Sequence, residues 1–248
     1  MTEIEEADPP AVTVVNETGS SPYVLLCEHA SRYIPARYAK LGLPDKELTR
    51  HIAWDIGAAG IGQGLSKALD APLFMSGYSR LLIDCNRPLG VPSSIPEISE
   101  STLIPGNVGL DDAERKYRAD AFYWPFQRAV RAHIDQRIEI GRPTIIFGVH
   151  TFTPIYKGYV RPWHAGVLYR RSAVFGERLL AELAEPGLTL AANEPYKIED
   201  DHDQTVPVHG EKRGLDAVLI EVRQDLVGDE MGEAAWAARL AQALEALI

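Results

Sequence analysis

The chain has 248 residues, of which 46% are hydrophobic and 24% charged, the balance of a soluble globular protein with a sizeable core. Its net charge of −10, without a Lys/Arg-rich stripe, argues against nucleic-acid binding but leaves room for a small anionic substrate in a cleft lined by a few arginines. The acidic N-terminus has no apolar signal-peptide segment and no apolar run reaches ~18 residues, so we expect a cytoplasmic protein that does not enter membranes.

Apolar patterning predicts an alternation of strands and helices along the chain. Residues 1–11 are polar and contain prolines, so we expect them to be poorly ordered. Strands are predicted over 11–16, 23–27, 71–75, 80–85, 144–149, 166–169, 188–192 and 217–223. Helices are predicted over 45–52, 55–70, 111–140, 172–183 and 230–248. Pro125 predicts a kink or a restart near Tyr123 in the longest of them.

The strands are short and almost continuously apolar, which is typical of a largely parallel sheet covered on both faces. The sequence therefore predicts a single domain over residues 1–248, a three-layer α/β/α sandwich with a mostly parallel or mixed central sheet, of the phosphorylase/hydrolase-like kind. Two long polar segments interrupt the alternation. Residues 88–109 contain four prolines and are expected to border a site, and residues 199–214 read as a polar loop.

Three predicted strands deliver acid/base or metal-binding side chains. Glu28 and His29 directly follow the first buried strand, His150 follows the strand 144–149, and Glu221 lies inside the last one. Open α/β sheets bind ligands at the carboxyl ends of their strands. These residues therefore predict one common site.

Two imidazoles and one carboxylate with an open fourth position form the pattern of catalytic zinc. His29, His150 and Asp55 supply these groups, although Asp55 also stands where it could cap the helix 55–70. Glu28 is the alternative carboxylate ligand, or a residue that orients a ligand histidine. Adjacent strand residues point to opposite faces, so Glu28 and His29 can share a metal only where the strand has ended.

Glu221 is unusual because a carboxylate on a buried strand is costly unless it is paired. It is either the partner of Arg223 or Arg80, or a general base with a raised pKa. The stretch from Arg80 to Arg87 contributes two arginines together with Asp84 and Asn86. Arginine binds carboxylates through two parallel hydrogen bonds, so this stretch predicts either a substrate clamp or a structural Arg–Asp pair.

Five segments together resemble the N-formylglutamate amidohydrolase family over residues 22–226. They are Cys-Glu-His-Ala-Ser with Ile34-Pro35, Trp-Asp-Ile-Gly at 54–57, Ser-Arg-Leu-Leu-Ile-Asp-Cys-Asn-Arg-Pro at 79–88, Gly-Val-His-Thr-Phe-Thr-Pro at 148–154, and Leu-Ile-Glu-Val-Arg-Gln-Asp-Leu at 219–226. The Asp-x-Asn-Arg element also resembles the wider zinc carboxypeptidase and aspartoacylase group. That group has a glutamate three residues after its first histidine, where this chain has Arg32, so the resemblance leaves the third ligand open.

The resemblance implies a zinc-dependent hydrolase of the N-formyl or another N-acyl amide of an acidic amino acid such as N-formyl-L-glutamate. It implies zinc, or another divalent metal, on His29, His150 and a carboxylate, with Asp55 favoured and Glu28 as its substitute. It also implies Glu221 as general base, and Arg80 as a contact of the oxyanion or a carboxylate. Asn86 and Arg87 would hold a substrate carboxylate. A second cation is wanted for the other carboxylate, for which Arg223 is the candidate and Arg213 the alternative, and His209 could close over the substrate.

Two other classes of function stay open. Cys27 beside Glu28 and His29 could serve a cysteine-dependent amide hydrolase, although a cysteine at the end of an apolar run is expected to be buried and inert. A non-catalytic binder of acidic metabolites on the same fold is the other possibility. A serine triad is disfavoured because the Gly-x-Ser-x-Gly motif is absent, and Cys27 and Cys85 are expected to be free thiols.

Overall fold

The computed structural model describes residues 8–248. Seven strands form one mixed sheet in the order β1-β3-β2-β6-β11-β9-β10. They are β1 (Val12–Val15), β2 (Tyr23–Cys27), β3 (Leu73–Ser76), β6 (Ile145–Phe152), β9 (Ala165–Leu168), β10 (Leu190–Ala192) and β11 (Asp216–Arg223). The four central strands β3, β2, β6 and β11 are parallel, whereas β1 runs antiparallel to β3 and β9 antiparallel to β11.

Helices cover both faces of this sheet, which confirms the predicted three-layer α/β/α fold. They are α1 (Asp45–Leu48), α2 (Ala58–Leu69), α3 (Asp112–Arg118), α4 (Trp124–Glu139), α5 (Ala173–Leu183) and α6 (Glu230–Glu245). Helices α2, α5 and α6 contribute to one buried apolar cluster and α4 to the other. The sheet separates these two clusters, as expected when strands bury both of their faces.

Strand β2 shows how the period-two alternation assigns side chains to the two layers. Val24 and Leu26 belong to the cluster that contains α4, whereas Tyr23, Leu25 and Cys27 belong to the cluster under α2, α5 and α6. All five residues are buried. The same alternation places Cys27 on the face covered by α2 and separates it from the polar residues that follow.

The longest predicted helix is divided close to the expected position. Asp111 caps α3 by accepting a hydrogen bond from the Glu114 amide at 2.8 Å. A wider π-helical turn, Ala119–Tyr123, joins α3 to α4, and Pro125 lies in the first turn of α4. Because proline cannot donate the amide hydrogen bond of a regular helix, the wider turn immediately before it has a local cause.

The predicted strand over residues 80–85 is wrong. This segment forms turns, and its apolar residues Leu81, Leu82 and Ile83 are buried against the layer that contains α4. Its backbone carbonyls accept from side chains instead of a neighbouring strand: Asn107 donates to Leu81 O at 2.8 Å and Arg118 to Leu82 O at 3.1 Å. A short apolar run is equally compatible with a buried strand and with buried turns whose polar groups are satisfied in this way.

Both long polar segments contain local structure. Residues 88–109 include a small hairpin of β4 (Ile98–Ser99) and β5 (Thr102–Leu103). A second hairpin, β7 (Ile155–Tyr156) and β8 (Tyr159–Val160), follows β6. The predicted loop 199–214 contains two helical turns, Thr205–Gly210 and Glu211–Arg213, so it is more ordered than its composition suggests.

None of the helices in residues 8–248 combines the length and apolarity that a membrane crossing requires. The prediction that the N-terminus is poorly ordered concerns residues 1–11, of which residues 1–7 lie outside the described part of the chain.

Candidate active site

A cavity of about 970 Å³ opens at the carboxyl ends of the central strands. Its walls include the polar residues that follow β2, those at the ends of β6 and β11, and much of the segment 90–100. The prediction that the proline-rich segment borders the site is therefore confirmed. The site residues predicted in the cavity wall are His29, Asp55, Arg80, Asn86, Arg87, His150 and Glu221.

His29, Asp55 and His150 meet at the base of this cavity and are buried. The Oδ2 atom of Asp55 lies 3.2 Å from Nδ1 of His29 and 3.0 Å from Nδ1 of His150. Gly57, rather than Asp55, occupies the N-cap position of α2. The Asp55 side chain is therefore free of the capping role that the sequence left open.

The second nitrogen of each imidazole faces another buried carboxylate. His29 Nε2 lies 2.7 Å from Asp84 Oδ1, and His150 Nε2 lies 3.2 Å from Glu28 Oε2 without hydrogen-bond geometry. Thr205 donates its hydroxyl hydrogen to the other Glu28 oxygen, Oε1, and thereby fixes the carboxylate. A carboxylate behind a histidine is the arrangement that orients metal-binding imidazoles.

The donor atoms of this cluster fit a cation. If Nε2 of His29 carries the hydrogen that Asp84 accepts, Nδ1 presents a lone pair to Asp55 Oδ2, which is also an acceptor. His150 Nδ1 faces the same oxygen. Two imidazole nitrogens and a carboxylate oxygen directed at one another match the donor set of a divalent metal such as Zn²⁺.

The charge balance of the cluster also favours a bound cation. Four buried carboxylates, Glu28, Asp55, Asp84 and Glu221, are accompanied by the guanidinium group of Arg80. Burial opposes ionisation of Asp55, but His29 and His150 outweigh it and hold the Asp55 pKa well below its usual range. Burial also lowers the His150 pKa, yet the contacts of its ring nitrogens with the Asp55 and Glu28 carboxylates raise it well above normal overall. The site therefore favours added positive charge.

Glu221 faces this cluster from the neighbouring strand. It lies opposite His150 in the parallel register of β11 and β6 and is 7% exposed. Its Oε2 atom has no hydrogen-bond partner, and no ion pair joins it to either predicted arginine within residues 8–248. Burial, reinforced by the Asp55 charge, raises the Glu221 pKa to about 7. A carboxylate with this pKa can exchange a proton at neutral pH.

Arg80 is held rigidly at the cavity wall. Its Nε and Nη2 atoms donate to Asp84 Oδ2 at 3.1 and 2.9 Å, and Nη1 donates to Asp55 Oδ1 at 3.2 Å. The structural Arg–Asp pair considered from the sequence is thus present. The side chain nevertheless remains 23% exposed and lines the cavity, so one edge of the guanidinium group is open to a ligand.

Asn86 and Arg87 also line the cavity but differ in how fully they are engaged. Asn86 Oδ1 accepts from the amides of Gln204 and Thr205, both at 3.0 Å, and its Nδ2 donates to Asp203. Arg87 donates only to backbone carbonyls and has no ion pair within the described residues. Asn86 therefore shapes the wall, whereas Arg87 brings to the cavity a charge that lies in the field of Asp84 and Asp203 but forms no ion pair within residues 8–248.

Three residues proposed for substrate binding do not reach the cavity. Arg223 shares a strand face with Glu221, but it donates to Asp225 at 2.7 Å and to the Trp163 carbonyl. The alternative, Arg213, pairs with Asp135. His209 is buried in a helical turn with its Nε2 atom 2.7 Å from Gln127 Oε1, so it is neither mobile nor exposed.

Cys27 and Cys85 are free thiols, as predicted. Cys27 is fully buried on the α2 side of the sheet and is absent from the cavity wall. Burial, with the charges of Asp55 and Glu28, raises its pKa well above normal. These properties oppose a role for Cys27 as a nucleophile.

The structure also adds residues that no sequence pattern indicated. Thr205 fixes Glu28, and Tyr196 forms part of the cavity wall beside the buried Arg161. Arg161 and Tyr196 are 35 positions apart in the chain, and Glu28 and Thr205 are 177 positions apart. Neither pair lies in a recognisable motif. Asp84, which orients His29, is different, because the Asp-x-Asn-Arg motif places it next to Asn86 and Arg87 of the cavity wall.

Comparison with solved structures supports the fold. The gene product Atu2144 from Agrobacterium tumefaciens is similar over 97% of both chains, with 38% identity and a TM-score of 0.92. An N-formylglutamate amidohydrolase from Ralstonia eutropha JMP134 is similar over 97% of both chains, with 17% identity and a TM-score of 0.66. A search of curated protein sequences gave no match.

The sequence model of one family covers most of the chain. Residues 21–228 match the model of N-formylglutamate amidohydrolase, and this range includes every residue of the cavity described above. The resemblance seen in the sequence motifs is thereby confirmed. The chain belongs to the N-formylglutamate amidohydrolase family.

Proposed function

We propose that this protein is a metal-dependent amidohydrolase that cleaves the N-formyl or another N-acyl amide of an acidic amino acid such as N-formyl-L-glutamate. The observation that carries the proposal is the convergence of His29 Nδ1, His150 Nδ1 and Asp55 Oδ2 in the cavity that Glu221 also lines, where the Glu221 Oε2 atom has no hydrogen-bond partner among residues 8–248. Membership of the N-formylglutamate amidohydrolase family supports the type of bond and the class of substrate.

His29, His150 and Asp55 would hold Zn²⁺ or another divalent metal. When bound, such an ion polarises the amide carbonyl and lowers the pKa of water. Asp84 and Glu28 would keep both imidazoles in the required orientation from their opposite ring nitrogens. In this assignment Glu28 is a positioning residue and not the substitute ligand.

Glu221 would act as the general base. Its carboxylate takes a proton from the attacking water as the oxygen bonds to the carbonyl carbon, and it returns this proton to the amine nitrogen as the C–N bond breaks. The products are a carboxylic acid, formic acid for a formyl group, and the free amino acid. The raised pKa of Glu221 suits both steps, because the group must accept and then release a proton near neutral pH.

The arginines would bind the substrate's negative charge. The open edge of Arg80 would donate to the carbonyl oxygen as it becomes negative, an effect worth ~2.7–4 kcal/mol per donor in comparable enzymes. Asp55 and Asp84 hold this guanidinium group in place, so little reorganisation is required. Arg87 would bind a substrate carboxylate from the wall that Asn86 and the segment 203–205 form.

The experiment is a hydrolysis assay that follows the release of formate and L-glutamate from N-formyl-L-glutamate. The proposal predicts turnover by the metal-loaded protein, its loss on treatment with a chelator, and its recovery when Zn²⁺ is returned. Iodoacetamide should leave turnover intact, because Cys27 is buried. Turnover that withstands chelation but not iodoacetamide would instead indicate the cysteine mechanism, and binding of the substrate without any turnover would indicate a non-catalytic binder.

A further inference from the structure

Arg161 is a buried cation without an ion pair among residues 8–248. It is 5% exposed, and no Asp or Glu in this range lies within ion-pair distance. Its guanidinium carbon lies 5.6 Å from the ring centroid of Phe152, 4.8 Å from that of Tyr156 and 4.7 Å from that of Tyr196. Aromatic faces compensate a buried charge only in part, so an anion bound nearby would stabilise the Arg161 guanidinium group.

Tyr196 connects this charge to the cavity. Arg161 Nη1 donates to the Tyr196 hydroxyl oxygen at 2.9 Å, and the Tyr196 ring lines the cavity wall. The oxygen is therefore an acceptor toward Arg161, which leaves its hydrogen available for another acceptor. No residue in the described part of the chain accepts this hydrogen. Burial raises the pKa of Tyr196, so the hydroxyl stays protonated at neutral pH.

Gly166 explains how Tyr196 reaches the cavity. Gly166 pairs with Glu221 across β9 and β11, and a Cβ atom at this position would overlap the backbone carbonyl of Glu194. The absence of a side chain lets the segment containing Tyr196 pack directly on the sheet. Asn193 anchors the same segment, because its amide donates to the Val167 carbonyl at 3.0 Å.

Tyr196 lines the same cavity as the proposed reacting groups, Glu221 and Arg80. The charge of Glu221 acts to raise the pKa of Tyr196, and the charges of Arg161 and Arg80 act to lower it. Tyr196 therefore presents a hydrogen-bond donor, backed by a buried positive charge, to the same space that Glu221 and Arg80 face.

We infer that Tyr196 and Arg161 form the subsite for the second carboxylate of a dicarboxylic N-acyl amino acid. This inference rests on the proposed function, in which Arg87 binds one of the two carboxylates. The other arginines predicted as carboxylate or oxyanion contacts are unsuited to the second one. Arg80 is engaged by two aspartates, and Arg223 and Arg213 lie outside the cavity. In this subsite Tyr196 contacts the carboxylate and Arg161 positions and polarises its hydroxyl.

Comparison of two substrates of nearly equal shape tests the subsite. N-formyl-L-glutamate and N-formyl-L-glutamine differ in whether the side chain ends in a carboxylate or a neutral amide. We expect wild type to prefer the glutamate compound in kcat/KM, and Tyr196→Phe to reduce this preference by about tenfold, the value of one hydrogen bond to a charged group. Arg161→Gln should also reduce it, and in both variants kcat/KM should fall further for the glutamate compound than for the glutamine compound.

Tyr196→Phe keeps the ring that stacks on Arg161, so it separates the hydroxyl from the packing. Tyr159→Phe makes the same chemical change in β8, on a ring that does not line the cavity, and should leave the preference unaltered. An unchanged preference in both Tyr196→Phe and Arg161→Gln would overturn the inference. So would an equal loss of kcat with both substrates, since that result would assign Tyr196 to the oxyanion.

Calorimetric titration separates failure of the subsite from failure of the proposed function. Both compounds are titrated into Glu221→Gln protein with and without Tyr196→Phe, which measures binding without turnover. The inference predicts tighter binding of the glutamate compound and loss of that difference on Tyr196→Phe. If wild type hydrolyses neither compound, the proposed function fails and the titration still decides the subsite. Equal affinity for both compounds, or no binding of either, overturns it.

Discussion

Replacement of Glu221 by glutamine tests the assignment of the general base. Glutamine has nearly the same size and fits the same buried position, but it cannot accept a proton from water. Because Glu221 makes no ion pair or Oε2 hydrogen bond within residues 8–248, the substitution breaks no such contact there. We therefore expect the variant to fold and to bind the substrate.

The size of the effect follows from the chemistry of the position. General-base catalysis contributes ~10²–10⁴-fold to rate, so kcat should fall by about that factor while substrate affinity changes little. The wild-type pH profile carries the same information. With a pKa of about 7, Glu221 gains its basic form as pH rises, so kcat/KM should increase through an acidic limb. A bound divalent cation nearby stabilises the carboxylate and moves this limb below pH 7.

The assay measures kcat, KM and their pH dependence for wild type, Glu221→Gln and Glu233→Gln. Glu233 is a matched control, since burial also raises its pKa but it lies on α6, outside the cavity. Only Glu221→Gln should lose turnover and the acidic limb. Retention of more than about a tenth of wild-type kcat would refute the base assignment, because it would lie outside the range expected for loss of a general base.

Three further predictions concern the support of the site. Asp84→Asn should weaken metal affinity by ~10–100-fold by removing the charge behind His29, as measured by competition with a chromophoric chelator, whereas Asp112→Asn at the cavity rim should not. Burial, with Arg213, lowers the His209 pKa to about 4, so between pH 4 and 6.5 the folded protein binds fewer protons than the unfolded chain. The free energy of unfolding should therefore keep its full His209 contribution above pH ~6.5 and fall by up to ~3 kcal/mol toward pH 4. Urea unfolding at several pH values should show a smaller decline for His209→Gln, and an equal decline would contradict this. Gly166→Ala should lower the free energy of unfolding by ~1–3 kcal/mol and reduce activity, whereas Gly228→Ala, whose added Cβ meets only the Gln224 carbonyl at 3.7 Å, should do neither.

The main features of the fold and site could be predicted because they follow from strand ends. Buried parallel strands bring their carboxyl ends to one edge, so His29, His150 and Glu221 were expected to converge there. The period-two alternation then places His150 and Glu221 on one face of adjacent strands. This logic needs only the apolar runs and the polar residues at or beyond their ends.

Site residues could not be predicted from the sequence where the direction of a long side chain or the packing of a loop determines which residues reach the cavity. Arg223 shares the strand face of Glu221, but its long side chain turns to Asp225 and backbone carbonyls beyond the sheet. His209 lies in a polar segment that forms a buried helical turn. Tyr196 enters the cavity because Gly166 allows a distant segment to approach, which no local pattern records.

Metal analysis of the purified protein tests the central claim most directly. We expect about one bound divalent ion per chain, lost in His29→Ala and in His150→Ala. His202→Ala is the control, since His202 belongs with Glu199 and Asp201 to an exposed group that also has metal-binding side chains. Loss of the ion in both buried-histidine variants, with retention in His202→Ala, is the expected result. Absence of a divalent ion from the wild type, or retention of the ion in both buried-histidine variants, would contradict a metal site on His29, Asp55 and His150.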